Sequence, residues 1–122
     1  MALALGCAHS DFIAVGDKTY PPNSDTADVD VYISTDAPVD LLQAVAGAKA
    51  PTDVPSTAKI IGRVDTSGDN YAAWGVLVSD AKKKARALGG DAIAITQWGD
   101  WRGAKHFSAN VVRFNVVPPS PK

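Results

Sequence analysis

Apolar and polar positions change period along this chain, and the changes mark its elements. In residues 11–16, Phe12, Ile13, Ala14 and Val15 form a short apolar run that predicts a first strand. Thr19-Tyr20-Pro21-Pro22-Asn23-Ser24 follows, and its two prolines exclude a helix there. Residues 29–34 alternate, with Val29, Val31 and Ile33 on one face, as in a half-buried strand. Leu41, Leu42 and Val45 fall at helical spacing and predict a short helix within residues 39–46. Gly47, Pro51 and Pro55 then interrupt regular structure. Residues 59–64 read as the next strand.

The clearest element spans residues 71–88. Trp74, Leu77, Val78, Ala81, Ala85 and Leu88 repeat at i, i+3, i+4, i+7, i+11 and i+14, one face of a helix. Ser79, Lys82, Lys83 and Arg86 lie opposite. Asp69 or Asn70 is the expected N-cap. The basic residues of 82–86 suit the negative end of the helix dipole, and Gly89-Gly90 supplies a left-handed stop. Residues 91–96 read as a strand and 98–105, with two glycines, as a loop. Residues 107–117 read as a last strand, with Val112, Phe114 and Val116 on one face. The expected fold is α+β: a small mixed or antiparallel sheet of four to five strands packed on one long helix. One domain over residues 11–117 is expected, after a tether at 1–10 and before a Pro-rich tail at 118–122.

A length of 122 residues suits one domain with a core of its own. Net charge is −1, without the basic excess that phosphate recognition requires, so nucleic acid is not an expected partner. A single cysteine excludes an intrachain disulfide and a cysteine-based zinc site.

That cysteine ends a short apolar stretch. Ala4-Leu5-Gly6-Cys7 resembles the lipobox of bacterial lipoproteins, with Gly6 and Cys7 in place and Ala4 and Leu5 in swapped order. The apolar part is half the length of a secretory signal and lacks a basic start, so the true start is expected upstream. The resemblance implies that Cys7 becomes the mature N-terminus and carries acyl chains. Ala8, rather than Asp, at the next position implies an outer-membrane address on the periplasmic side. The plainer alternative is an ordinary thiol in a disordered start. No apolar run is long enough for a spanning helix.

A second resemblance lies in Ile60-Ile61-Gly62-Arg63-Val64 and in Ala81-Lys82-Lys83-Lys84-Ala85-Arg86-Ala87-Leu88-Gly89-Gly90-Asp91-Ala92-Ile93. These segments look like the small envelope domains related to the stress-sensor lipoprotein of the Rcs phosphorelay, and like YbjQ-type domains. Tyr20-Pro21-Pro22, followed by Val29-Asp30-Val31-Tyr32, is similar to a group of bacterial lipoproteins with this domain. The resemblance implies an envelope module. It carries over neither the sensor's disulfides, which one cysteine cannot make, nor the YbjQ-type ring.

Candidate chemistry is sparse. There is no nucleophile elbow, phosphate-cradling glycine loop or His-Glu-x-x-His motif, so the expectation is a protein that is not an enzyme and holds no cofactor. His9 and His106 are far apart in sequence, and Asp25, Asp28, Asp30 and Asp36 read as solvent-facing polar positions, so no metal site is expected. Lys82, Lys83, Lys84 and Arg86 could meet anionic lipid, although a solvated helix face explains them better. Trp98, Trp101 and Arg102 are the candidate partner-binding group. Aromatic and arginine side chains on a loop suit a protein interface or a glycan surface. Equally, one or both tryptophans could fold back over the sheet. The expected role is a membrane-anchored, non-enzymatic binding or sensing module for an envelope protein or glycan. The alternative is a self-assembling scaffold, and a cell-wall hydrolase is the weakest reading.

Overall fold

A computed structural model describes residues 7–16, 19–24, 28–45, 47–69 and 72–114. Five strands and two helices follow in the order β1 (Ala8–Ala14), β2 (Asp30–Ile33), α1 (Val39–Ala44), β3 (Lys59–Gly68), α2 (Trp74–Ala87), β4 (Ala92–Trp101) and β5 (Ala104–Arg113). The fold is α+β. The strands form one mixed sheet in the order β1-β3-β5-β4-β2, antiparallel throughout except where β2 runs parallel to β4. β5 thus inserts between β3 and β4, the two strands that α2 connects.

Alternation along the strands decides what each face of the sheet meets. Val31, Ile33, Val64, Ile93, Ile95, Phe107, Ala109 and Val111 point to the helical face. There they meet Leu41, Val45, Trp74, Leu77, Val78, Ala81 and Ala85 in the main core. Leu77 is fully buried, and truncation to Ala would cost about 2–5 kcal/mol in lost burial and cavity. The small residues Ala81 and Ala85, both 0% exposed, let α2 lie close to the sheet. On the opposite face, Val54 and Ala58 cover Tyr32, Ala92 and Val112 in a smaller cluster that Phe114 also joins. Among the described residues this face is otherwise open.

Helix α2 matches the periodicity at its core-facing residues but starts later than expected. Its N-cap is Ala73, without a side-chain cap. The Asp69 N–H instead donates to the Cys7 carbonyl (2.8 Å), and its carbonyl accepts from Ala72 (3.0 Å), so Asp69 extends the sheet rather than capping the helix. Asn70 lies outside the described residues. The C-terminal stop forms as the glycines dictate. Gly89 takes φ +83°, Gly89 N–H donates to Arg86 and Gly90 N–H donates to Ala85, which is a Schellman motif. Residues 19–24 close this end: Asn23 N–H donates to the Arg86 carbonyl (2.8 Å) and the Arg113 guanidinium sits over the Tyr20 ring.

The two sheet edges are managed differently. The outer edge of β2 is bridged by Lys49, which exchanges backbone hydrogen bonds with Val31 and Ile33 at 2.9 Å each. The Lys49 ammonium also reaches the Asp30 carboxylate at 3.1 Å, and that hydrogen bond, with the carboxylate's charge, raises the lysine pKa above its ordinary 10.5. Among the described residues, nothing pairs with the outer edge of β1. Residues 98–105, read from sequence as a loop, are the ends of β4 and β5 and the turn between them.

Candidate functional site

The candidate site is the end of the sheet where β1 begins and the β4–β5 hairpin turns. Ala8, His9 and Ser10, read from sequence as tether, already belong to β1, paired with Gly68, Ser67 and Thr66. Cys7 is exposed and its carbonyl is held by Asp69, so the cysteine stands at the mouth of the first strand.

β1 is fastened from inside. The Ser10 hydroxyl donates to the Asp80 carboxylate on α2 (2.6 Å) and shares a hydrogen bond of 2.7 Å with the Thr66 hydroxyl. With its own proton committed to Asp80, Ser10 accepts from Thr66. Thr66 is 1% exposed, so this chain satisfies a polar group that would otherwise be stranded in the core. A shallow groove of about 340 Å³ runs beside it, lined by His9, Asp80, Lys83 and Lys84. Lys83 and Lys84 are exposed along α2, while Lys82 and Arg86 are half-buried.

The register brings the two histidines into one row of the open face. Gly99, His106, Ser67 and His9 stand side by side across β4, β5, β3 and β1. His9 pairs with Asp11 at 2.9 Å, and the His106 ring lies over Gly99 where a Cβ would be. In the next row Ser108 donates to Asp65 at 2.7 Å, and Asp65 also pairs with Arg63 at 3.0 Å. Among the described residues no set of three or more His, Cys, Asp or Glu side chains is placed to hold a metal ion. Asp30 is taken up by Lys49, Ser34 Oγ accepts the Asp36 N–H, Asp28 is exposed, and Asp25 lies outside the described residues.

The hairpin separates the candidate residues. Trp98 pairs with Phe107 on the helical face and packs against the main core. Trp101 stands at the tip, 70% exposed, with the Arg102 guanidinium 5.2 Å from its ring centre. A bulge between Ile95 and Gln97 shifts the alternation so that Trp98 meets the helical face, and Trp101, three residues on, falls on the opposite face. Trp101 pairs directly with Ala104, leaving a two-residue turn in which Arg102 has φ +53° and Gly103 φ +85°. Two positive φ values mark the type I′ turn that fits strand twist. Arginine is a costly choice there, since left-handed backbone disfavours non-glycine residues by about 1–2 kcal/mol. Asp100 steadies the turn by accepting the Gly103 N–H at 2.9 Å.

The sequence predicts strands on either side of residues 98–105 but reads the segment itself as a loop, whereas β4 runs on to Trp101 and β5 starts at Ala104; Gly99 and Gly103 hid this. Among the described residues no helix is long and apolar enough to cross a membrane.

No family model matches the chain. No curated protein matches it by sequence. A solved structure similar to it in fold is the crystal structure of a Francisella virulence factor, FvfA, in its orthorhombic form. That likeness has a TM-score of 0.56 at 14% identity and spans 85% of this chain and 96% of the other. At that identity the likeness extends to the fold alone.

Proposed function

We propose that this chain is a lipid-anchored envelope module, not an enzyme, whose folded domain sits directly at the bilayer on acyl chains carried by Cys7. The observation that carries this reading is the place of Cys7. It precedes β1 by one residue, is exposed, and is fixed by Asp69, so a lipid there leaves no tether between membrane and domain. Two or more acyl chains hold stably, at about 0.8 kcal/mol per buried CH₂. The lipobox-like Ala4-Leu5-Gly6-Cys7 and the envelope-domain resemblance of residues 81–93 support the same reading. The exposed Trp101 and Arg102 are its candidate contact residues. In cells, the wild-type protein should fractionate with membranes and be released by detergent, whereas Cys7→Ala should be released without it. A wild-type protein that stays in the aqueous fraction would sink the proposal.

One observation favours the alternative, a self-assembling scaffold. The free edge of β1 is flanked by Ile13, Val15 and Ile60, which are 50%, 51% and 45% exposed. Open, apolar edge strands pair with copies of themselves unless blocked. Light scattering of the Cys7→Ala protein would show a dimer or larger species, lost on Ile13→Lys, if this edge assembles.

A further inference from the structure

We infer that the tip of the β4–β5 hairpin is a second membrane contact: Trp101 seats in the bilayer interface beside the lipid on Cys7, with Arg102 at headgroup level. The inference rests on the acylation proposed above and names the partner of Trp101 and Arg102 as lipid rather than protein or glycan.

The register supplies the geometry. Gly99, His106, Ser67 and His9 share a row. Two residues further toward the same end, Trp101 pairs with Ala104 and Asp69 bonds to Cys7, and continuing the β3–β5 register past Ser67 and His106 sets these two pairs in one row. Its ends are secured by the Trp101–Ala104 pair and the Asp69-to-Cys7 hydrogen bond. The lone cysteine and the most exposed aromatic side chain among the described residues therefore stand on one terminal row of the sheet. They are three strand spacings apart, about 14 Å. Twist turns β4 by roughly 60–75° relative to β1 over three spacings, so the shared feature is the end of the sheet rather than a common side-chain direction. A bilayer reached by acyl chains on Cys7, with no tether to raise the domain, meets this end.

The tip's chemistry suits that place. Tryptophan favours the membrane–water interface because its ring is apolar and its N–H polar. The Arg102 guanidinium lies over the ring face, and both side chains are exposed at the tip, so the cation can stay at headgroup level while the ring enters the interface. The turn keeps a left-handed arginine where asparagine or glycine would be easier, and backbone strain of this kind is retained where the side chain has a use. Charge does not drive the contact: Arg102 and Lys105 are offset by Asp69 and Asp100 at the same end. The contact should therefore be indifferent to lipid charge.

The single thiol makes the test direct. The full chain is coupled through Cys7 to a maleimide-headgroup lipid in phosphatidylcholine vesicles, and Trp emission is compared with and without lipids brominated high on the acyl chain. Trp74 is 4% exposed and Trp98 packs against the core, so Trp101 dominates the response. Bromine-dependent quenching is expected, most of it lost in Trp101→Phe and unchanged when a third of the lipid is anionic. Absence of quenching would overturn the inference and leave the acylation proposal standing, because the tether in this assay is chemical. Quenching that requires anionic lipid would also overturn it, in favour of charge attraction. If the natively made protein carries no lipid on Cys7, the anchoring proposal fails separately, and the hairpin contact in the cell falls with it.

Discussion

Removing one hydroxyl should loosen the strand that carries the anchor. Ser10 Oγ bridges the Thr66 hydroxyl on β3 and the Asp80 carboxylate on α2, at 2.7 and 2.6 Å. Ser10→Ala deletes the bridge and strands Thr66, which is 1% exposed, without its partner. Hydrogen bonds to charged groups contribute about 1.5–3 kcal/mol net, and an unsatisfied buried hydroxyl costs on the same scale. That corresponds to roughly a 10- to 150-fold fall in the ratio of folded to unfolded protein. Urea unfolding of both proteins measures the loss. Hydrogen exchange should show it concentrated in the amides of Ala8–Ala14, because β1 is a sheet edge held otherwise by β3 alone and by α2 packing. Asp80→Ala and the double variant complete a cycle, in which a coupling of about 1 kcal/mol or more is expected for groups in contact. Equal urea midpoints for Ser10→Ala and wild type, or strict additivity in the double variant, would refute the reasoning.

Four further outcomes follow from the geometry. Gly90→Ala drives a Cβ into a Val111 methyl and sets it 3.1 Å from the Ala85 carbonyl, so a loss of about 1–3 kcal/mol is expected in thermal unfolding. Gly99→Ala should be tolerated within about 0.5 kcal/mol, because the exposed His106 ring that fills its space can swing into solvent. Arg102→Asn should stabilise the domain by up to about 1 kcal/mol, by relieving the positive φ, while weakening bilayer contact in the vesicle assay. Lys49→Met should lower stability slightly below about pH 10.5. The lysine's folded pKa is raised by Asp30, so the pair contributes fully below the ordinary pKa and is lost as pH rises through the raised one. Unfolding of the two proteins should therefore converge at high pH.

The sequence was most legible where one periodicity met one burial environment. Trp74, Leu77, Val78, Ala81 and Ala85 read as a helix face and form one, and Gly89-Gly90 stops it as expected. Val29, Val31 and Ile33 share the core face they were assigned. Legibility failed where polar residues point inward or a bulge resets the count. Ser10 and Thr66 face the helix, so the first half of β1 and the second half of β3 lacked an apolar signature. The bulge after Ile95 broke the alternation of β4, and two glycines gave the hairpin the look of a loop. On β5, Val112 and Phe114 share a face as the alternation predicts, but it is not the face that meets the helix. They belong to the smaller cluster, while Phe107, Ala109 and Val111 meet the helix, and Val116 lies outside the described residues. Cys7 and Trp101 are far apart in sequence, and only strand order, which pattern does not encode, sets them at one end of the sheet.

The central claim is that Cys7 carries lipid. Mass spectrometry of the protein purified from the membranes of the cells that make it tests this directly. The expected result is a mature chain beginning at Cys7, with the added mass of its acyl chains on that residue. A chain that retains Met1 to Gly6 and a free Cys7 thiol would contradict the account.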